Sequence, residues 1–484
     1  MRKIFTYILV AISLFCATIS YAQHDKLAGV FSVTACPAEN CENSMNFSWA
    51  TDTSVKSAVV EIAKFSDDEW KRVCSYTFDG RLCTTFDSVY SKGPKGENFY
   101  ENVVINKFNA AVGSLKGDTR YKYRIYPVSD GKKGRYHSTE RYFQTSGAKE
   151  WEACIISDFH VYSPLYARTE AAMDMIGVVE KFSAKGNSSD SDFKGDGNGA
   201  FDWILHLGDI TAWGGSYSFW KNLYNERPFK KYMWAGVNGN HDNMTRGYAR
   251  TTNEFFRDAA AYPHNGYEGE MGVCYHFKYG NVLFIMLNNE SMKSDEGLDA
   301  AQKWVRKVVA ENPSPYTVVC EHYQWFYGES GKESQYSRWS RLFDELGINL
   351  ALAANNHIYV STPAIYDGKP VGGNQLGGES VGGSSFGGES VGAKPKDGTH
   401  KDRDLTGRGT VYIQTPSSDN ERGVAFDASV PLQYSADKIK YRWSEGSNTV
   451  GAMHMKVTPS KMILTLLDRY GNVLDVTEVL PTER

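Results

Sequence analysis

The sequence predicts two folded parts, an all-β sandwich followed by a larger α/β domain. Its 484 residues exceed the size of one average domain, so length alone favours at least two. Short segments of alternating apolar and polar residues fill the first part, over residues 28–145. From residue 150 to residue 484, strand-like runs alternate with stretches of helical period, which is typical of an α/β domain.

The first part shows the strand period most clearly at its aromatic residues. Met45, Phe47 and Trp49 fall on one face of a strand, and the segment 121–125 repeats the pattern. Many short strands separated by turns predict a sandwich of immunoglobulin or fibronectin type III character. The small polar segment 144–149 is the predicted linker to the second part. We find no pattern in the first part that indicates chemistry.

The second part follows the α/β pattern along most of its length. Apolar runs of strand length cover residues 151–157, 203–207, 232–237, 281–287, 316–320, 348–353, 410–414, 453–457 and 462–467. Apolar residues at helical spacing predict helices over residues 166–185, 299–311 and 335–346. A glycine-rich decapeptide repeats within residues 371–392, so the segment 367–408 is predicted to be a surface insertion. It is either flexible or stacked as repeated glycine turns.

The net charge limits the possible binding partners, and the N-terminus predicts where the protein is located. With 53 basic and 57 acidic residues the net charge is −4, which offers no footprint for nucleic acid or an anionic membrane. A basic start, an apolar run to Ile19 and small residues before position 23 predict a signal peptide over residues 1–22, cleaved after Ala22. We expect an exported protein, periplasmic or secreted. A membrane anchor is the alternative, but the run is shorter than the roughly 20 residues that span a bilayer.

Export makes disulfides permissible, and the spacing of the cysteines suggests two. Cys74 and Cys83 flank an Asp-Gly hairpin signal, so a bridge across two paired strands is plausible. Cys36 and Cys41 offer a second, smaller loop. The three remaining cysteines of the mature chain lie in apolar runs and are predicted to be buried free thiols: Cys154, Cys274 and Cys320.

Side chains of the metal-binding type follow five predicted strands of the second part. They are Asp158 and His160, Asp209, Asn240 with His241 and Asp242, His322, and Asn355 with His357. Any one of these pairs alone is ordinary turn chemistry. Because loops at the carboxyl ends of adjacent strands converge, all five together predict one metal-binding site.

These blocks, in this order, resemble the calcineurin-like metallophosphoesterase superfamily. The resemblance covers about residues 150–467 and implies a four-layer β-sandwich flanked by helices. With a β-sandwich in front, the arrangement is similar to the purple acid phosphatase branch. The implied ligand sets share a bridging Asp209: Asp158, His160 and His357 for one metal ion, and Asn240 and His322 for the second. The ions would be iron, zinc or manganese, because mixed nitrogen and oxygen ligands suit all three metals. The ligand types do not discriminate among them.

The resemblance also implies roles in catalysis. His241 would protonate the leaving oxygen or stabilise charge on the phosphoryl group, with Asp242 orienting it. Asn240 and His241 would contact the substrate phosphate. Arg246 follows closely and could reach the phosphate as well, although a surface arginine is the alternative interpretation.

The sequence departs from the family pattern at two positions. Asn355 stands where the last block should supply its first histidine, and an amide oxygen binds a cation more weakly than imidazole does. The second metal site is therefore expected to be weak, with Asn355 as a substitute ligand. Ala212 stands where the purple enzymes have a tyrosine, three positions after Asp209, which predicts a colourless protein.

These observations favour an exported phosphoesterase that hydrolyses phosphomonoesters by attack of a metal-bound hydroxide at a dinuclear, asymmetric site. Its substrate would be a small molecule or a phosphorylated macromolecule. One alternative is a phosphodiesterase of the same fold. The other is a protein that binds metal or phosphate without turnover, which the replacement of a ligand histidine by Asn355 would explain.

Overall fold

A computed structural model describes residues 25–90, 98–161, 168–183, 199–248, 250–326, 335–357, 359–371, 408–418, 440–441 and 450–482. The predicted signal peptide and nearly all of the glycine-rich repeat lie outside these ranges. Within them, no helix combines the length and apolarity needed to cross a membrane.

The N-terminal domain is a sandwich of two antiparallel sheets. Its strands in chain order are β1 Val30–Pro37, β2 Met45–Thr51, β3 Ser57–Lys64, β4 Cys74–Asp79, β5 Arg81–Tyr90, β6 Asn98–Val112, β7 Arg120–Ser129, β8 Lys132–Lys133 and β9 Arg141–Gln144. One sheet has the order β1-β2-β6-β5 and the other β4-β3-β7-β8, with β9 beside β7. Phe47 and Tyr123 pack across the gap with ring centroids 4.7 Å apart. The predicted all-β domain is confirmed.

The second domain contains the remaining elements. Its strands are β10 Trp151–Ile156, β11 Trp203–His206, β12 Met233–Gly236, β13 Tyr275–Tyr279, β14 Val282–Met286, β15 Tyr316–Cys320, β16 Leu350–Ala353, β17 Val360–Ser361, β18 Ile365–Tyr366, β19 Lys369–Pro370, β20 Val411–Gln414, β21 Lys440–Tyr441, β22 Gly451–Val457, β23 Met462–Asp468 and β24 Val473–Val479. Its helices are α1 Arg168–Phe182, α2 Tyr217–Leu223, α3 Arg227–Lys231, α4 Glu254–Ala259, α5 Asp295–Glu311 and α6 Tyr336–Leu346. Single 3₁₀ turns cover His241–Asn243, Arg246–Tyr248 and Ser291–Lys293.

Two mixed sheets form the centre of this domain. One has the order β12-β11-β10-β22-β23-β24 and the other β13-β14-β15-β16-β20-β17-β21. Trp203 of the first sheet and Phe284 of the second meet with centroids 5.0 Å apart, so the sheets pack face to face. Trp304 of α5 and Phe343 of α6 lie in the core on the outer face of the second sheet, and α1 packs against the first. The predicted four-layer sandwich flanked by helices is confirmed.

The two predicted disulfides are wrong. All seven cysteines of the described residues are free, and Cys74 is exposed whereas Cys83 is buried. The predicted hairpin does not form, because β4 pairs with β3 in one sheet and β5 pairs with β6 in the other. The chain changes sheets at Gly80 instead of folding back on itself. The prediction of free thiols at the other three positions is confirmed, since Cys154, Cys274 and Cys320 are buried.

The segment between the domains is tightly held. Thr145 and Ser146 are buried, and Ser146 N donates to Cys41 O at 2.9 Å. Two backbone hydrogen bonds join the domains nearby. Cys41 N donates to Lys278 O at 3.0 Å, and Lys278 N donates to Glu39 O at 2.8 Å. The domains therefore pack as one body around this junction.

Candidate metal centre

The predicted ligands follow strands that lie side by side. Strands β10, β11 and β12 are parallel neighbours in the first sheet, and β15 and β16 are parallel neighbours in the second. Their carboxyl ends carry the predicted residues: Asp158 and His160, Asp209, Asn240 and His241, His322, and His357. Short apolar runs form these strands because both of their faces are buried.

Three imidazoles converge on two carboxylates. His160 Nε2 lies 3.2 Å and His322 Nε2 3.3 Å from the same oxygen, Asp209 Oδ2. His357 Nε2 lies 3.4 Å from Asp158 Oδ1. Both carboxylates are buried, with Asp158 fully enclosed and Asp209 2% exposed. The geometry thus brings together five of the predicted ligands and the predicted catalytic residue His241, in overlapping groups whose ligand atoms lie within 4.8 Å of one another: Asp158, His160 and His357; His160, Asp209 and His241; Asp158, Asp209 and His322.

Backbone carbonyls fix the tautomer of three imidazoles. Nδ1–H donates to Asp158 O in His160 (3.0 Å), to Leu207 O in His322 (2.8 Å) and to Ala212 O in His241 (2.8 Å). A carbonyl can only accept, so Nδ1 bears a proton in each ring. Nε2 is then the atom left to bind a metal ion or to exchange a proton. Such support of a ligand histidine by a carbonyl is common at metal sites.

Burial and the charges of neighbouring groups together set the pKa values of three residues of the site. Burial alone would raise the pKa of Asp209, but the imidazoles of His322 and His241 outweigh it and hold that pKa well below its ordinary value. Burial opposes a charge on His322 too, yet the Asp209 carboxylate raises the pKa of this imidazole to about 9. Burial lowers the pKa of His160 to about 4. The Asp209 carboxyl is therefore ionised at neutral pH, which is the form that binds a metal ion.

Several buried polar atoms lack a hydrogen bond, which tests whether the residues fit a metal ion. They are both carboxylate oxygens of Asp158, Asn240 Oδ1 and His322 Nε2, since the approaches of His357 to Asp158 at 3.4 Å and of His322 to Asp209 at 3.3 Å lack hydrogen-bond geometry. A buried polar group without a partner is costly and calls for a ligand. All four atoms are donors that transition metals accept, and they belong to residues predicted as ligands. The donor set fits a metal centre.

Asp242, predicted to orient His241, makes no hydrogen bond to the imidazole ring. His241 Nδ1 is bound to Ala212 O. The buried Asp242 carboxylate accepts instead from the backbone N–H groups of Ile210, Thr211 and Gly239, at 3.2, 2.9 and 3.0 Å, and from the Thr211 hydroxyl at 3.2 Å. Asp242 therefore joins the loop after β11 to the loop after β12. The sequence alone could not show that Asp242 joins these loops, because the groups that donate to its carboxylate are mostly backbone N–H groups.

Asn355 has a partner that the sequence did not suggest. Its Nδ2 donates to Oε1 of the buried Gln324 at 2.5 Å, which leaves Oδ1 as the only side-chain atom that could bind a cation. Gln324 lies two residues after His322, and that proximity was the one available signal. Arg246 is partly exposed on the single turn Arg246–Tyr248. Its role at a substrate phosphate stays a prediction.

A buried cluster of imidazoles and carboxylates, at the strand ends of a two-sheet α/β sandwich, is the arrangement expected of a metal-dependent hydrolase. Residues 153–359 match the family described as calcineurin-like phosphoesterase. The chain thus contains a calcineurin-like metallophosphoesterase domain, the domain of hydrolytic phosphoesterases, as the sequence predicted.

Two solved structures share the fold over 94% of this chain. The purple acid phosphatase PPD1 from yellow lupin (Lupinus luteus) seeds matches with a TM-score of 0.62 and 12% identity, over 75% of its own length. PhoD matches with a TM-score of 0.52 and 11% identity, over 93% of its length. No curated protein gave a significant match. At these identities the likeness establishes the fold.

Proposed function

We propose that the protein hydrolyses phosphomonoesters at a centre of two metal ions, iron, zinc or manganese. The observation that supports this most is the convergence of His160, His322 and His357 on the buried carboxylates Asp158 and Asp209. Two ions in such a centre neutralise phosphate oxygens and lower the pKa of a bound water. The likeness to a purple acid phosphatase favours a phosphate monoester as substrate.

The two halves of the centre are unequal. Asp158, His160 and His357 would hold one ion with Asp209, so two imidazoles serve that half. Asp209, Asn240 and His322 would hold the second, which leaves one imidazole and an amide oxygen. Asn355 adds at most an amide oxygen, since its nitrogen is bound to Gln324. We expect the second ion to bind more weakly, because imidazole is the stronger ligand for these metals.

His241 is the group best placed to handle a proton. Its ring lies 4.9 Å from that of His160, so it borders the ligand cluster, and it is partly exposed. Because Nδ1–H is fixed on Ala212 O, the proton to be donated to a leaving oxygen would sit on Nε2. The main-chain N–H of His241 donates to Asp209 Oδ1 at 2.9 Å, which ties the position of this residue to the ligand carboxylate.

Turnover of p-nitrophenyl phosphate and bis-p-nitrophenyl phosphate with added manganese, zinc or iron tests the proposal. We expect hydrolysis of the monoester that chelation abolishes and that Asp158→Asn reduces by at least about 100-fold. His264→Asn, outside the cluster, is the matched control and should leave turnover unchanged. Faster cleavage of the diester would reassign the substrate class. One tightly held ion without turnover of either ester would favour a binding protein.

We further propose that the protein is exported, to the periplasm or beyond the cell. The support is the order of residues 1–22, a basic start, an apolar run and small residues before the predicted cleavage after Ala22. N-terminal sequencing of the protein recovered from cell fractions tests this. A mature chain beginning at Gln23 is the expected result, and an intact Met1 in the cytoplasmic fraction would contradict it.

A further inference from the structure

Each residue of the segment Ala212–Gly214 contacts His241. Ala212 O accepts from the His241 ring, the Trp213 ring lies 5.4 Å from it, and Gly214 N donates to His241 O at 2.9 Å. Gly214 lies so close to Asp242 that any side chain at position 214 would overlap the Asp242 carbonyl. The position of the His241 imidazole therefore depends on where this segment lies.

Helix α2 fixes that segment. Gly214 O accepts from Trp220 Nε1 at 3.0 Å, and Trp213 O accepts from Ser216 N at 3.0 Å. Trp220 is buried in the middle of α2. A shift of α2 would consequently move the segment that holds His241.

The N-terminal domain in turn holds the first turn of α2. Ser216, the residue before the helix, makes no side-chain capping hydrogen bond. The missing acceptor comes from β5, where Asp87 Oδ1 accepts from Ser218 N at 3.2 Å and from Ser218 Oγ at 2.8 Å. A carboxylate that accepts from the first turn of a helix acts as a cap. The neighbouring Ser32 Oγ and Tyr217 OH also lie 3.0 Å apart across the domain interface.

A second contact of β5 reaches the same loop from the other side. Phe86, next to Asp87, packs edge-on against Phe255 of α4 with centroids 6.3 Å apart. Helix α4 packs against the turn His241–Asn243. Phe255 also lies beside Gly215, where an added side chain would meet its ring. Two adjacent residues of β5 thus contact the two helices that flank His241.

We propose that Asp87 is a positioning residue for His241, acting from the N-terminal domain through α2 and the segment Ala212–Gly214. The inference rests on the proposed function, because His241 is assigned there to protonate the leaving oxygen. It makes the β-sandwich part of the catalytic apparatus, where the sequence had offered no chemistry for this domain. A displaced imidazole should matter most for substrates whose leaving group needs a proton.

The test compares two monoesters on the full-length, metal-loaded protein. p-Nitrophenolate leaves without a proton, whereas phenolate from phenyl phosphate benefits from one. Asp87→Ala should lower kcat for phenyl phosphate about tenfold more than kcat for p-nitrophenyl phosphate, with metal content unchanged. Asp87→Asn keeps an acceptor oxygen. The ratio of its kcat for phenyl phosphate to its kcat for p-nitrophenyl phosphate should therefore lie close to the wild-type ratio. Glu101→Ala is the matched control, since Glu101 pairs with Asp87 across the hairpin and is exposed.

The outcomes separate the inference from the function on which it rests. A wild-type protein inactive on both esters would refute the proposed function. An active wild type whose Asp87→Ala variant loses both activities equally, or neither, would refute the positioning role alone. If Asp87→Ala does not fold, the ratio of the two kcat values is measured on Ser218→Ala instead. This variant removes only the 2.8 Å hydrogen bond from Ser218 Oγ to Asp87 Oδ1. An unchanged ratio in Ser218→Ala would then overturn the inference.

Discussion

Gly208→Ala is the sharpest test of the metal centre, because it pushes one ligand with a single methyl group. Gly208 precedes Asp209 and has a φ of +95°, which L residues rarely adopt. A Cβ there would lie 2.4 Å from Nδ1 of His322, against an ordinary contact of at least 3.4 Å. The ring must therefore retreat by about 1 Å, the difference between those two distances. That movement acts on both the 2.8 Å bond to Leu207 O and the 3.3 Å approach to Asp209.

Two terms set the expected loss of stability in the metal-free protein. The strained backbone costs about 1–3 kcal/mol. The forced displacement in a packed site costs about 1–3 kcal/mol more. We expect the free energy of unfolding of Gly208→Ala, measured with urea in the presence of chelator, to fall by about 2–6 kcal/mol. The affinity for the ion held by His322 should fall about 10- to 100-fold, because a displaced ligand loses its alignment.

Gly177→Ala supplies the matched control. Gly177 lies inside α1, and an added Cβ meets nothing within 4 Å. Replacing glycine inside a helix should stabilise by up to about 1 kcal/mol, so the same chemical change has the opposite sign there. Metal titration followed by elemental analysis gives the affinities. A Gly208→Ala protein with wild-type metal content and an unchanged unfolding midpoint would refute the assignment of His322 as a ligand.

Three further predictions concern metal content, colour and thiols. Asn355→His should tighten the weaker ion at least about tenfold in a metal titration, because imidazole replaces an amide; an unchanged titration would contradict the unequal halves. The iron-loaded protein should lack a visible charge-transfer band, since Ala212 replaces the tyrosine of the purple enzymes, and an absorption spectrum checks this. Thiol titration of the mature, unfolded protein without reductant should count seven groups. A count of five would restore one of the Cys74–Cys83 or Cys36–Cys41 bridges.

The sequence predicted the strands, and the clustering of the polar residues that follow them, better than the contacts that support that cluster. The strand Tyr316–Cys320 has the predicted bounds because a buried parallel strand is a continuous apolar run between polar ends. Residue types that bind metals are easily recognised where such an apolar strand ends. The roles of Asp242 and Gln324 were not predictable, because their partners come from loops distant in sequence. The hairpin predicted at Gly80 failed for a related reason, since pairing with β3 and β6 overrode a local turn signal.

The backbone explains why three of the five ligand blocks, taken alone, looked like ordinary turns. Asp158, His160, Asp209, Asn355 and His357 all have positive φ, between 45° and 68°, and they are five of the eleven such non-glycine residues in the described chain. Aspartate, asparagine and histidine are the side chains that tolerate this conformation best. They are also metal-binding groups. Turn chemistry and ligand chemistry are therefore not alternatives at these positions. The same residues end the strands and supply the donors, and the left-handed turns concentrate backbone strain where the centre is built.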